Sequence, residues 1–337
     1  MKKLYATLPT GEEIYLYTIK GTNTTAEIIT YGATLRSLII DGVDVAGGFD
    51  GIEGYLTNPG NVGGTIGRVS NRIENAIFVM DGAKYELKKN NGNHCLHGGF
   101  DFNHRIWNVE EYSENSVTLT HLSKSGDCGF PANLSVSVSY TLLGDDLIID
   151  YKAIPDSKTP IALTNHAYFN LDGFGGDVKR HKLTVYSDSY TEVDENLIPS
   201  GNRPSVNGTV FDFRKPTEIG LGLETKGFHG YDHNFIITHK EFKKFGDKLL
   251  GLSAVLENDL LKLSVYSDQP GLQVYTGNGL NSKNPDFKGG VTAIKYGGIC
   301  LETQTEPNCV NHGIGFYNEG DIYTHTCVYS LERKDLK

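Results

Sequence analysis

Nowhere in this 337-residue chain do 18 apolar residues follow one another, so it has no run of the length a helix needs to cross a bilayer. The first twenty residues, MKKLYATLPTGEEIYLYTIK, carry Lys2 and Lys3 but meet Pro9, Glu12 and Glu13 before an apolar run is established. No export signal is expected from them. Positive charge is also short: 31 Lys and Arg stand against 41 Asp and Glu, a formal charge of −10, and the cations form no dense cluster. Nucleic acid and anionic membrane are therefore not expected as partners. The five cysteines, Cys95, Cys128, Cys300, Cys309 and Cys327, are odd in number and include no C-x-x-C pair. That suits reduced thiols and a cytoplasmic location better than a disulfide frame.

Several motifs are missing as well. There is no Gly-Lys dipeptide, so the glycine-rich stretch GGTIGRVSNRI from Gly63 to Ile73 is not read as a phosphate loop. A G-x-S-x-G nucleophile elbow is absent, and none of the cysteines lies in a recognisable nucleophile context. Capped helical periodicity is scarce, with one charged candidate near Lys240 to Leu250. The strand-helix alternation that builds parallel sheets is thus unsupported. No Pro- or Ser-rich linker, low-complexity tract or internal repeat interrupts the chain, and residues 1–337 are expected to form one domain.

What the chain does contain is alternation. Leu134, Val136, Val138, Tyr140 and Leu142 alternate with Ser135, Ser137, Ser139 and Thr141, and after Gly144-Asp145-Asp146 the pattern resumes at Leu147, Ile149 and Tyr151. Period two on both sides of a turn signal predicts a hairpin. A second hairpin is predicted from Ala254 to Leu256, then Glu257-Asn258-Asp259, then Leu261, Leu263 and Val265. Forty glycines, 19 tyrosines and 15 phenylalanines fit many short strands joined by tight turns. The expected fold class is all-β.

Three stretches place polar side chains where apolar ones are expected. LTNHAYFNL, residues 163 to 171, reads as a buried strand but carries Asn165, His166 and Asn170, each of which needs a partner in the interior or in a ligand. In NHCLHGG, His94 and His97 are three apart, close enough on a turn to share a metal with His166 or Glu302. The alternative is a pair of turn histidines beside glycines that supply backbone freedom. In LETQTEPN, Glu302 follows the apolar run Ile299, Cys300 and Leu301, so on a strand it sits at or near the interior. Burial raises a carboxyl pKa and makes the group a better proton acceptor near neutrality. Read alone, that stretch admits a paired structural carboxylate as readily as a catalytic one.

Taken together, the stretches GRVSNRI (67–73), LHGG (96–99), TNHAYFNL (164–171), YTEVDENLIPSG (190–201), GTVFDFR (208–214), GYDHNF (230–235), QVYTGN (273–278) and LETQ (301–304) resemble the galactose mutarotase (aldose 1-epimerase) family. The likeness runs in order from about Tyr31 to Glu332. It implies a large antiparallel β-supersandwich with a sugar-binding cleft on one face, in which residues far apart in the chain converge.

By this resemblance Glu302 looks like the general base that takes the proton from the C1 hydroxyl of a sugar. His166 looks like the acid that protonates the ring oxygen, and His97 like a second histidine beside the reacting centre. Asn71, Arg72, Asp232 and Gln273 resemble the residues that hold sugar hydroxyls, and Phe169, Tyr168 or Trp107 is the aromatic expected to cover the apolar face of the sugar. Asn165 and His166 would be polar because a sugar lies over them.

The implied reaction is the interconversion of α and β anomers of free hexoses such as galactose and glucose. It requires one acid and one base with pKa values near working pH, Glu302 raised by burial and His166 near about 6.5. It calls for no metal, cofactor or covalent intermediate. The expected partner is the sugar alone, with the protein a monomer or homodimer. Rival readings are a hexose 6-phosphate epimerase, a non-catalytic carbohydrate-binding domain and, with Asp232 and Glu302 as paired carboxylates, a retaining glycosidase. Departures from the family pattern are Cys128 in GDCGFP, where an acidic residue is expected, and Asn308 and Cys309 in PNCVN, where Asp and Ala are more usual.

Overall fold

The computed structural model describes residues 1–334. Period-two patterning becomes structure where it is strongest. Along the strand Leu134–Leu143 the even-numbered side chains are buried and the Ser and Thr between them face outward. Gly144 turns the chain at φ 64°, and Leu143 pairs with Asp146 to open a ten-pair antiparallel ladder with the strand Asp146–Pro155. The second predicted hairpin is also present, with Leu256 opposite Leu263. In its turn the Asn258 carboxamide oxygen accepts from the amides of Leu260 and Leu261.

These hairpins belong to a ten-stranded sheet that begins at the strand Asn108–Tyr112, and two five-stranded sheets accompany it. One of these is the N-terminal meander from Lys2 to Asp44. The other joins Tyr168–Phe169, Ile299–Gln304, Gly271–Tyr275, Asp232–Ile237 and Ser187–Tyr190 in that order, through antiparallel pairings. One apolar cluster draws on all three sheets: Ile28 and Leu35, then Val138, Ile149 and Leu263, then Phe235, Val274 and Leu301. The fold is the all-β, antiparallel sandwich expected from the alternation, and the two α-helices among the described residues, Ile52–Thr57 and Ile219–Leu223, are short connections. Among the described residues no helix is long and apolar enough to cross a membrane.

The expected helix near Lys240 to Leu250 is not there. Phe242–Phe245 and Lys248–Glu257 form an antiparallel hairpin instead, turned at Gly246 with φ 61°. Phe242, Phe245 and Leu249 recur at spacings of three and four like a helical stripe, but only Phe245 of these is buried. It packs with Leu250 against Ile148 and Val328 on the large sheet. Burial against the sheet, together with a turn residue that tolerates positive φ, outweighs the local helical spacing.

Candidate active site

Strand parity builds the floor of the site. In Ile299–Gln304, Ile299 and Leu301 enter the main core, so Cys300, Glu302 and Gln304 take the other face. Directly opposite residues of an antiparallel pair share a face. Glu302 pairs with Gln273, Gln273 with Asn234, and Asp232 with Tyr275. Three neighbouring strands thereby present Glu302, Gln273, Asp232 and Tyr275 to one cleft.

Loops from the first half of the chain close over this floor. Gly63, at φ 70°, donates its amide to the His166 carbonyl, and the His166 amide donates to the Gly64 carbonyl. Thr65 and Ile66 pair with Asn165 and Thr164 on the preceding residues. His166 is thus held by its backbone at the edge of the floor. Leu96 pairs with Arg72. The His97 amide donates to the Asn71 carbonyl, and the Asn71 amide donates to His97 Nδ1 at 3.2 Å. With Nδ1 accepting, neutral His97 carries its proton on Nε2. Behind Arg72, the Asn308 amide donates to the Arg72 carbonyl and the Asn308 side chain accepts from the Glu74 amide. Asn308, one of the departures from the family pattern, sits at φ 60°, a conformation that Asn tolerates better than most residues.

The resulting geometry brings together all seven residues expected from the resemblance. Asn71, Arg72, His97, His166, Asp232, Gln273 and Glu302 line one cleft. His166 Nε2 lies 3.8 Å from Glu302 Oε1. The rings of His97 and His166 meet edge to face, with centroids 5.2 Å apart. Gln273 Nε2 donates to Asp232 Oδ1 at 2.6 Å, Arg72 Nη2 is 4.0 Å from Asp232 Oδ2, and Arg72 Nε donates to Asn91 at 3.2 Å. Glu302 Oε2 and Gln273 Oε1 are buried without a hydrogen-bond partner among the described residues. Two unpartnered acceptors on adjacent strands suit a ligand that brings hydroxyl donors.

Burial governs the protonation of the cleft. It pushes the Glu302 carboxyl well above its ordinary value; the nearby Asp232 adds to that, and Arg72 opposes it. Burial also raises Asp232, against the pull of Arg72 and Gln273. His166 is lowered by burial to about 4, and His97 falls well below 6.5 through burial, His166 and Arg72. The expectation that His166 titrates near 6.5 is therefore corrected. Its side chain is more than nine-tenths buried, and desolvation disfavours the imidazolium.

Other expectations need correcting too. Asn165 does not face a sugar: its side chain donates to the Gly63 carbonyl at 2.9 Å and to the Tyr140 hydroxyl at 3.3 Å. Asn170 likewise serves the fold, donating to the carbonyls of Gly176 and Gly297. Of the three aromatics considered, Trp107 and Phe169 are in the main core, and only Tyr168 reaches the cleft. His94 does not join the cluster; its Nδ1 accepts from the Asn75 amide on an exposed turn. Three contributors went unnoticed in the sequence. Tyr275 and Asn61 line the cleft, and Cys300 places its thiol 3.5 Å from His166 Nδ1. Parity with Glu302 was the available signal for Cys300, and pairing opposite Asp232 the one for Tyr275.

The aldose 1-epimerase family pattern matches residues 15–330. The chain is 37% identical to a rat galactose mutarotase over 343 residues, covering 98% of each chain. It is 41% identical to a Haemophilus influenzae aldose 1-epimerase over 267 residues, covering 77% of this chain and 76% of that one. Among solved structures, a galactose 1-epimerase from Lactobacillus acidophilus superposes with a TM-score of 0.87 at 25% identity, covering 99% of each chain. An aldose epimerase homologue from C. elegans gives 0.85 at 29% identity, covering 95% of this chain and 99% of that one. On this evidence the chain belongs to the aldose 1-epimerase family.

Proposed function

We propose that the protein is a mutarotase that interconverts the anomers of free hexoses, galactose and glucose first, with Glu302 and His166 as its proton-transferring pair. The observation that carries this reading is the 3.8 Å approach of His166 Nε2 to Glu302 Oε1 in a cleft lined by hydroxyl-binding groups. The two oxygens bonded to an anomeric carbon are neighbours, so a carboxylate and an imidazole this close can serve both at once. Glu302 takes the proton of the C1 hydroxyl while His166 gives one to the ring oxygen, and the C1–O5 bond opens. Rotation about C1–C2 turns the other face of the aldehyde toward the ring oxygen. Reclosure returns both protons, with the two roles exchanged.

The pair needs one proton between its two members. With that proton on Glu302 both groups are neutral, the arrangement burial favours. With it on His166 they form an ion pair of zero net charge. Neither state leaves an isolated charge in the cleft, whose burial would cost several kcal/mol. When His166 holds the shared proton both its ring nitrogens are protonated: Nδ1–H faces the Cys300 sulfur at 3.5 Å, and Nε2–H is directed at the reacting centre. His97, Asn71, Arg72, Asp232 and Gln273 hold the remaining hydroxyls, and Tyr168 supplies apolar contact.

A neutral sugar is favoured over its 6-phosphate. Among the described residues lining the cleft, Arg72 is the only Lys or Arg, and Asp232 already stands beside it. A cytoplasmic location is part of the same reading, supported by five unpaired cysteines, four of them buried. So is a single domain, supported by the core shared among the three sheets. The test is the rate at which α-D-galactose, α-D-glucose and glucose 6-phosphate reach anomeric equilibrium. Acceleration is expected for the free hexoses, and a preference for the phosphate would overturn the substrate assignment.

A further inference from the structure

We propose that Cys300, His166 and Glu302 form a binding site for a thiophilic divalent cation such as Zn2+ or Cd2+, and that the bound ion turns the enzyme off. The inference rests on the reading of Glu302 and His166 as the acid-base pair. Each of the three residues offers one ligand atom, and these atoms lie within 4.8 Å of one another. Cys300 Sγ is already 3.5 Å from His166 Nδ1. Around tetrahedral zinc, with bonds of about 2.0 to 2.3 Å, neighbouring ligand atoms stand about 3.5 Å apart. The Cys300–His166 approach already meets that spacing, and ligand atoms up to 4.8 Å apart would close by about 1 Å through side-chain rotation to reach it.

A second feature points the same way. Glu302 Oε2 is buried and has no partner among the described residues, so a carboxylate lone pair is available to an ion. The donor set also has the right chemistry. Thiolate and imidazole select soft and borderline ions, and one thiolate plus one carboxylate balance a double positive charge. The thiol and Glu302 give up their protons on binding. The cleft supplies both an approach and an open fourth position, where water completes the coordination. In ring opening the Cys300 sulfur only faces His166 Nδ1 and gives up no proton.

An ion at this site occupies the carboxylate and the imidazole that must exchange protons with the sugar, so activity is lost while the ion is bound. Sugar and ion then compete for the same groups. The test uses the whole protein, stripped with chelator and titrated with Cd2+. The thiolate-to-metal absorption band in the ultraviolet is recorded alongside the anomerisation rate of α-D-galactose. The band is expected to saturate at one ion per chain as the rate is lost, and chelator restores the rate. Excess galactose shifts the titration to higher Cd2+.

Cys300→Ser, with Cys300→Ala as a second variant, loses the band and keeps in Cd2+ whatever rate it shows in chelator, whereas Cys128→Ser retains the band. Absence of the band in folded wild type, or its survival in either Cys300 variant, overturns the proposal. Should neither variant fold, failure of galactose to displace the ion from wild type overturns it instead. A Cd2+ band in a protein that never accelerates anomerisation would leave the cation site standing and refute the mutarotase reading. Acceleration without a band would do the reverse.

Discussion

His166 Nε2 and Glu302 Oε1 face each other at 3.8 Å, both side chains more than nine-tenths buried. His166 lies in the link between the short strands Thr164–Asn165 and Tyr168–Phe169, and Glu302 on the strand Ile299–Gln304, 136 residues further along the sequence. The 3.8 Å separation is longer than a hydrogen bond, so neither group is spent on the other.

If the two act as one proton-exchanging unit, His166→Gln should lower kcat by about 10²- to 10⁴-fold, the usual worth of a positioned acid or base. The double variant with Glu302→Gln should then be little worse than the poorer single one. Steady-state polarimetry on the three variants reads this directly. Additive losses would mean the groups act in separate steps.

The pH profile follows from the directions of the two shifts. The active form carries one proton on the pair. Adding a second requires protonating His166, whose pKa is lowered to about 4. Removing the first requires ionising Glu302, whose pKa burial raises well above 4.5. The plot of kcat/KM against pH should therefore fall on the acidic side only toward about pH 4 and on the alkaline side above the ordinary carboxylate range. An acidic limb near 6.5 would show that His166 is not desolvated as the structure has it.

Arg72, Asp232 and Gln273 form a chain in which Gln273 donates to Asp232 at 2.6 Å and Arg72 stands 4.0 Å from its other oxygen. A hydrogen bond to a charged group is worth about 1.5 to 3 kcal/mol, so Arg72→Ala or Asp232→Ala should raise KM roughly 10- to 100-fold, with a smaller fall in kcat. Isothermal titration with galactose measures the same loss without turnover. If Glu302→Gln weakened binding as much as these two, the division of labour would be wrong.

Arg68, in the same GRVSNRI stretch as Asn71 and Arg72, serves stability instead. Its guanidinium is buried and donates to the carbonyls of Ser123, Lys124, Ala132 and Pro131 and to the hydroxyls of Ser123 and Thr159. Arg68→Ala leaves those acceptors unpaired in the interior and should destabilise the fold by about 3 kcal/mol or more. Urea denaturation would show it as a lowered midpoint with an unchanged slope.

The period-two stretch from Leu134 to Tyr151 was legible because its two faces meet different environments and each side chain therefore reports its side. The stretch from Lys240 to Leu250 misled because Phe242, Phe245 and Leu249, of which only Phe245 is buried, imitate a helical stripe along a hairpin. At the site, the apolar run Ile299, Cys300 and Leu301 was enough to place Glu302 at or near the interior. The polarity of His166, Asn165 and Asn170 was equally visible, but which of them met a ligand was not. Asn165 and Asn170 donate to backbone carbonyls of Gly63, Gly176 and Gly297, and such pairings leave no local pattern. Convergence of Asn71, His97, Asp232 and Glu302 came from the family resemblance, since long-range strand pairing has no signature within one stretch. The depressed pKa of His166 depends on its burial in the folded chain and could not be read from its surroundings in sequence.

The most direct measurement is the polarimetric relaxation of freshly dissolved α-D-galactose with purified wild type and with Glu302→Gln, both in chelator. Proton transfer by Glu302 predicts acceleration by wild type that survives the chelator and a loss of about 10²-fold or more in the variant, with galactose affinity little changed. Equal acceleration by the folded variant, or none by folded wild type, would contradict it.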